Sequence, residues 1–188
     1  MPQKISRIYL TGFMGSGKSS LGCILANTIG YGFYDLDKEI ENSANKKITD
    51  IFKDSGESFF RDLEAETLVK VSKSSHIVVA LGGGAVLRKS NLDLTKSTGK
   101  LVYLRSSASE LYNRLKFKTD RPLFQTVDNV IISEEDALNK IKLMMAEREP
   151  IYNQADIVFD TDNKTLGMSV DSLKNYLEKH FEISYEKN

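Results

Sequence analysis

Gly12-Phe13-Met14-Gly15-Ser16-Gly17-Lys18-Ser19 spells G-x-x-x-x-G-K-S, the phosphate-binding P-loop. The glycines permit a tight turn whose N–H groups converge on phosphate oxygens. The Ile5–Leu10 apolar run precedes the motif and a helical pattern, Ser20 to Ile29, follows it. That order is what the motif requires, because the helix presents its positive end to the same anion. Lys18 has the reach to neutralise terminal phosphates, and the Ser19 hydroxyl suits Mg²⁺. The sequence therefore implies binding of a nucleoside triphosphate.

Other residues complete a phosphoryl-transfer site, which needs positioning and charge neutralisation more than covalent help. Asp35 and Asp37 close the short run Gly32–Tyr34, and two carboxylates two residues apart on a strand end share a direction. One suits Mg²⁺ and the other suits taking a proton from an acceptor hydroxyl. Gly82-Gly83-Gly84 ends the run Ile77–Leu81, where three missing side chains leave room for close approach. The Walker-B aspartate that many NTPases carry after this strand is missing, so Asp35 is the better metal candidate. Arg148 continues the apolar stripe Leu138, Ile141, Met145 at helical spacing, and a guanidinium on such a stripe needs an anionic partner. Arg61 has two readings. It is an anchor for an acceptor anion, or the partner of Glu57 at i,i+4. Arg114 to Leu123 is basic, Pro122 stiffens it, and the stretch to Val130 carries little helical pattern. It reads as a mobile lid, about residues 116–130, that excludes water and brings Arg121 to the phosphates.

These groups need a scaffold. The five runs Ile5–Leu10, Gly32–Tyr34, Ile77–Leu81, Leu101–Leu104 and Ile157–Phe159 are continuous rather than alternating, as in strands buried on both faces. Helical patterns separate them. Leu21, Ile24, Leu25, Thr28 and Ile29 mark one, Phe60, Leu63, Thr67 and Val71 another. Ser133-x-x-Asp136 caps a third, and a fourth runs from about Met168 to Phe181. Alternating strands and helices predict an α/β fold with a parallel sheet and ligands at the strand carboxyl ends. The tail Ile183–Asn188 is polar and reads as frayed.

The 188 residues, 40% hydrophobic, suit one domain with a substantial core. Lys+Arg and Asp+Glu each number 26, so no basic field draws nucleic acid or an anionic membrane. Neither a secretory leader nor a membrane span is read, which predicts a cytoplasmic protein. Cys23, the single cysteine, reads as a small core or near-core residue rather than a catalytic thiol. His76 and His180 lack metal-ligand spacing.

In combination, the P-loop through Ser20, Asp35-x-Asp37, Gly56-Glu57-x-x-Phe60-Arg61-x-x-Glu64, Gly82-Gly83-Gly84, Arg121-Pro122-Leu123 and Arg148-x-Pro150-x-Tyr152 resemble the shikimate kinase family over nearly the whole chain. The resemblance implies a P-loop α/β/α fold of three layers around a five-stranded parallel sheet, like nucleoside monophosphate kinases. A substrate-binding segment would span about residues 34–64. It implies transfer of the ATP γ-phosphate to the 3-hydroxyl of shikimate, in a monomer. ATP would lie on Gly12, Gly15, Ser16, Gly17, Lys18, Ser19 and Ser20, with Arg114 near adenine and Arg121 on the phosphates. Ser19 and Asp35 would hold Mg²⁺. Asp37 would contact the shikimate hydroxyls and act as base. Arg61, Arg148 and the backbone of Gly82, Gly83 and Gly84 would hold the rest of shikimate. Catalysis would rest on Lys18, Asp37 and Arg121.

Two positions depart from that pattern. Ala80 and Leu81 stand where a hydroxyl residue is common, and Leu166 stands where proline is common in the adenine loop. A gluconate or nucleotide kinase is the rival within kinases, whose acceptors ask for a polyol-binding or base-stacking site, and Arg61 with Arg148 around a small carboxylate fits that less well. A GTPase-like switch would need N-K-x-D, whereas Asn139-Lys140-Ile141-Lys142 and Asn163-Lys164-Thr165-Leu166 both lack the closing Asp.

Overall fold

Residues 3–116 and 133–183 are described by the structure, a computed structural model. In chain order the elements are β1 (Gln3–Ile5), β2 (Arg7–Thr11), α1 (Lys18–Ile29), β3 (Gly32–Asp35), α2 (Leu36–Ala44), α3 (Ile48–Val71), β4 (Ile77–Ala80), a 3₁₀ turn (Ala85–Leu87), α4 (Lys89–Thr98), β5 (Lys100–Arg105), α5 (Ala108–Leu115), α6 (Glu134–Tyr152), β6 (Ile157–Asp160), α7 (Leu166–His180) and β7 (Phe181–Ile183).

Side-chain alternation along the strands divides these elements into three layers. The five-stranded sheet has the order β3-β4-β2-β5-β6, and every pairing is parallel. On one face Ile8, Leu10, Val78, Val102 and Leu104 meet Leu21, Leu25 and Ile29 of α1 and Val170, Leu173 and Leu177 of α7. On the other, Tyr9, Val79, Leu101 and Tyr103 meet Leu36 and Ile40 of α2, Phe60 and Leu68 of α3, and Leu92 of α4. The expected α/β/α architecture and parallel sheet are present.

The strand runs differ in burial for a reason the topology supplies. β2, β4 and β5 are flanked on both sides and almost wholly buried. β3 and β6 are edges, partly exposed, and Val158 is 40% exposed. The run Ile5–Leu10 is not one strand. It breaks at Ser6, and β1 leaves the main sheet to pair in parallel with β7. That pairing corrects the last helix, which stops at His180 before Phe181. It also corrects the frayed tail at its first residue, since Ile183 is in a strand and buried. Long-range pairing leaves no local trace in a three-residue strand, so composition did not reveal it. Cys23 and Ile24 lie on the exposed side of α1, with Ile24 41% exposed, so Cys23 is not a core residue. Gly22 takes the inward position, because a side chain there would meet Leu10 and Phe33 at 2.8–2.9 Å.

Candidate active site

The phosphate cradle grows directly from the central strand. β2 ends at Thr11, and the loop turns through Gly12, where φ is 139° and a Cβ would lie 2.6 Å from the Leu104 carbonyl oxygen. Only glycine fits both conditions. α1 opens at Lys18 with Gly17 as N-cap, no capping side chain and no acidic residue in its first turn. Its first N–H groups therefore remain for an anion, and no carboxylate competes for them. The Lys18 ammonium donates to the carbonyls of Gly12 at 2.8 Å and Phe13 at 3.1 Å, which holds it across the loop. The Thr11 and Ser16 hydroxyl oxygens are buried there without a protein partner. Buried polar groups seek partners, so this loop is built to receive polar ligand atoms.

Asp35 and Asp37 do not both sit on a strand end. Asp35 closes β3 and caps α2, its carboxylate accepting from the Lys38 N–H at 3.4 Å, while Asp37 lies in the first turn of that helix. The helix starts here because the carboxylate cap satisfies an end donor. The two side chains still border one cleft with Lys18, Ser19, Ser20, Gly15, Gly17, Leu81 and Gly83. Among the described residues no three His, Cys, Asp or Glu cluster as a metal cage. An exposed Ser hydroxyl beside one carboxylate fits Mg²⁺, which takes few protein ligands and completes its shell with phosphate and water. Leu81 brings no hydroxyl to that cleft.

A second cleft adjoins the first through Met14, Asp37 and Gly83, and is lined further by Ile48, Phe60, Arg61, Glu64, Gly82, Gly84 and Arg148. Arg61 pairs with Glu57 at 3.0 Å, as its bland reading required, and also with Glu64 at 3.0 Å. The two pairs differ in weight. Glu57 is exposed and contributes well under about 1 kcal/mol. The Glu64 side chain is 1% exposed, and removing either partner of a buried pair costs roughly 3–5 kcal/mol. Burial opposes the Arg61 charge, but Glu64 and Glu57 outweigh it, so the guanidinium holds its proton more firmly than usual. Burial pushes the Glu64 carboxyl up, Asp37 adds to this, and Arg61 opposes it. Its Oε1 has no protein hydrogen bond.

Two of the three glycines, Gly82 and Gly84, are explained by these side chains. A Cβ on Gly82 would lie 2.7 Å from Glu64 Oε1 and 2.9 Å from Asp37 Oδ1. Opposite them, α6 brings Arg148 to the cleft, with Phe13 of the P-loop beneath its guanidinium at 5.6 Å. Tyr152, one turn further along α6, donates from its hydroxyl to the Gly83 carbonyl.

On the other side of the P-loop, a cleft of about 370 Å³ is lined by Gly15, Ser16, Gly17, Ser20, Leu21, Arg114, Thr161, Lys164, Leu166 and Ser169. That volume lies in the range of small-molecule sites. The Arg114 guanidinium is fixed by the Ser106 and Thr161 hydroxyl oxygens and the Thr161 carbonyl at 3.1–3.2 Å. Leu166 is the first helical residue of α7, behind the Thr165 cap. Proline is favoured at that position, so leucine there keeps the helix start intact. A separate groove between α3 and α4, lined by Val69, Lys70, Asn91 and Leu94, shares no residue with these clefts.

The structure thus brings together Gly12, Gly15, Ser16, Gly17, Lys18, Ser19, Ser20, Asp35, Asp37, Arg61, Gly82, Gly83, Gly84, Arg114 and Arg148 around three adjoining clefts. Arg121 and nearly all of the expected lid lie outside the described residues. Sequence reasoning quoted Phe13, Glu64 and Tyr152 but gave them no part of their own, and it assigned Thr161 only as part of the loop from Asp160 to Leu166 near adenine. For Glu64 a signal existed, since it stands three residues after Arg61 on the same helix face.

The comparisons with known proteins agree with one another. Residues 14–178 match the family model for shikimate kinase. The chain is 44% identical over 183 residues to a shikimate kinase of Chlorobaculum tepidum, covering 97% of this chain and 96% of that one. Among solved structures, a shikimate kinase from Bacteroides thetaiotaomicron superposes with a TM-score of 0.83 at 33% identity, covering 93% of this chain and 99% of the other. A shikimate kinase from Acinetobacter baumannii, solved in complex with shikimate, gives 0.82 at 29% identity, covering 95% and 96%.

Proposed function

Since this chain belongs to the shikimate kinase family and transfers the γ-phosphate of ATP to shikimate, we propose that the three clefts divide that work among the residues just described. The cleft lined by Arg114 and Leu166 takes the adenosine end of ATP, and the loop from Gly12 to Ser20 takes the phosphates. Lys18 neutralises charge on the phosphates where it grows in the transition state. Ser19 and Asp35 would hold Mg²⁺, which supplies further charge neutralisation on the phosphate oxygens. Arg61 and Arg148 hold the shikimate carboxylate in a charge-assisted grip, a geometry that guanidinium suits. The Gly82–Gly84 backbone supports the ring. Asp37 lies where the two clefts meet, so it orients the acceptor hydroxyl and accepts its proton. The Arg121 segment acts as a lid that excludes water, and the protein works as a cytoplasmic monomer. Residues 34–64 and 116–130 serve as substrate-binding and lid segments of one domain.

The observation that carries this reading is the shared border of the clefts. Met14, Asp37 and Gly83 line both the Lys18–Ser19 cleft and the Arg61–Arg148 cleft, so an acceptor held by two arginines faces the phosphate site. Gluconate also carries a carboxylate and AMP a phosphate, so the choice of shikimate among these acceptors rests on the family and is tested directly. A coupled ADP-release assay with shikimate, gluconate, AMP or water as acceptor tests the acceptor site. ADP should form rapidly with shikimate alone. Comparable rates with gluconate, AMP or no acceptor would refute the assignment.

A further inference from the structure

Tyr152 lines none of the clefts described above, yet it is bonded to the glycine side of the acceptor site from the helix that carries Arg148. It is the last residue of α6, one turn beyond Arg148, and only 1% exposed. Its ring packs on Tyr103 of β5 with centroids 5.1 Å apart, which fixes the phenol from the sheet side. Its hydroxyl hydrogen points to the Gly83 carbonyl oxygen. Arg148 stands four residues earlier on the same helix. One hydroxyl therefore ties the end of the helix that carries Arg148 to the backbone of Gly83. A terminal nitrogen of Arg148 lies 3.9 Å from where a Gly83 side chain would begin, in van der Waals range, so both residues meet the same piece of backbone.

Helix geometry alone does not provide this precision. Pro150 lies between the two residues and removes a backbone N–H from the final turn of α6. The tie from Tyr152 to Gly83 holds that last turn from outside the helix.

We propose that Tyr152 is a positioning residue for the acceptor: it ties the end of α6, which carries Arg148, to the Gly83 backbone, so that the carboxylate anchor and the ring support keep a fixed separation. The inference rests on the reading that Arg148 holds the acceptor carboxylate. Phenylalanine at 152 would keep the packing on Tyr103 and remove only the link. The Gly83 carbonyl is in a half-buried residue, so water can replace the lost donor without unfolding the site.

The test is a double-mutant cycle with Tyr152→Phe, Arg148→Leu and the pair, measuring KM for shikimate and for ATP, kcat, and the thermal midpoint of each protein. Tyr152→Phe should raise the shikimate KM roughly three- to tenfold, the range of one net hydrogen bond, with kcat and the ATP KM within about twofold. In the Arg148→Leu background the same change should have almost no effect on shikimate KM, because nothing remains to be positioned. A shikimate KM left unchanged by Tyr152→Phe, while Arg148→Leu raises it, overturns the positioning role alone. An unchanged shikimate KM in Arg148→Leu overturns the underlying anchor. Equal losses from Tyr152→Phe in both backgrounds, or equal rises in both KM values, would make Tyr152 merely structural. Should the phenylalanine variant melt too low to assay, the cycle is run with Tyr152→His, whose ring N–H can still donate to Gly83. A shikimate KM close to wild type supports the link, and a tenfold rise opposes it.

Discussion

A methyl group on Gly84 would lie 2.8 Å from both terminal nitrogens of Arg61. The glycine is not there for an unusual backbone angle. It is there because the guanidinium occupies the space a side chain would need. Arg61 is held in that place from its other side by Glu57 and the buried Glu64. Gly84→Ala should therefore push the guanidinium off its seat. The shikimate KM should rise roughly tenfold or more, the loss of one charge-assisted contact, with little change in the ATP KM. Steady-state kinetics with each substrate varied in turn checks this. An equal rise in both KM values would show a general collapse of the loop.

Glu64 gives a pH signature. Burial holds its carboxyl above the ordinary value of 4.5 despite Arg61, with Asp37 adding to the effect. A raised folded-state pKa contributes stability that is fully present below the unfolded value and lost as pH rises through the folded one. Relative to Glu64→Gln, the wild-type protein should thus be most favoured below about pH 4.5 and lose that advantage as pH rises toward neutrality. Chemical denaturation of both proteins across that range measures it. An advantage that grows with pH would mean that Arg61 dominates and the carboxyl is depressed.

Leu166 tests the adenine side. It starts α7 directly behind the Thr165 cap and lines the nucleotide cleft. Proline fits a first helical position, so Leu166→Pro should stabilise the fold by about 0.4–1 kcal/mol, through the unfolded chain. The stiffer loop should lower the ATP KM by up to about threefold, because less ordering remains to be done on binding. A destabilised variant with a higher ATP KM would show that the loop before α7 is not in a proline-compatible conformation.

Much of this was legible in the sequence because the relevant signals are local. The P-loop, the cap at Ser133 and the buried central strands each depend on a few neighbouring residues, and each stands where expected. What was not legible depends on distance. The pairing of β1 with β7 joins the two ends of the described chain. Cys23 was read as core or near-core from its place in the helix, but the inward position on α1 belongs to Gly22, whose neighbours Leu10 and Phe33 come from two strands. Asp35 and Asp37 share a cleft as expected, though through a helix cap rather than a strand end. Arg61 had two sequence readings, and the structure reconciles them: its pair with Glu57 and its place on the cleft are compatible. Glu64 and Tyr152 stood in the motifs without a role of their own, because a residue that supports another shows its purpose only when its partner is seen.

The central claim is that Asp37, at the junction of the two clefts, acts on the acceptor and not on the nucleotide. The direct measurement is Asp37→Asn, assayed for kcat with saturating ATP and shikimate and for ATP affinity by calorimetry. Asparagine keeps the size and the helix position while removing the proton acceptor. The account predicts a kcat lowered about 10²–10⁴-fold, the usual contribution of a general base, with ATP affinity within roughly twofold of wild type. A variant that keeps most of its kcat, or that loses ATP affinity in step with kcat, would contradict it.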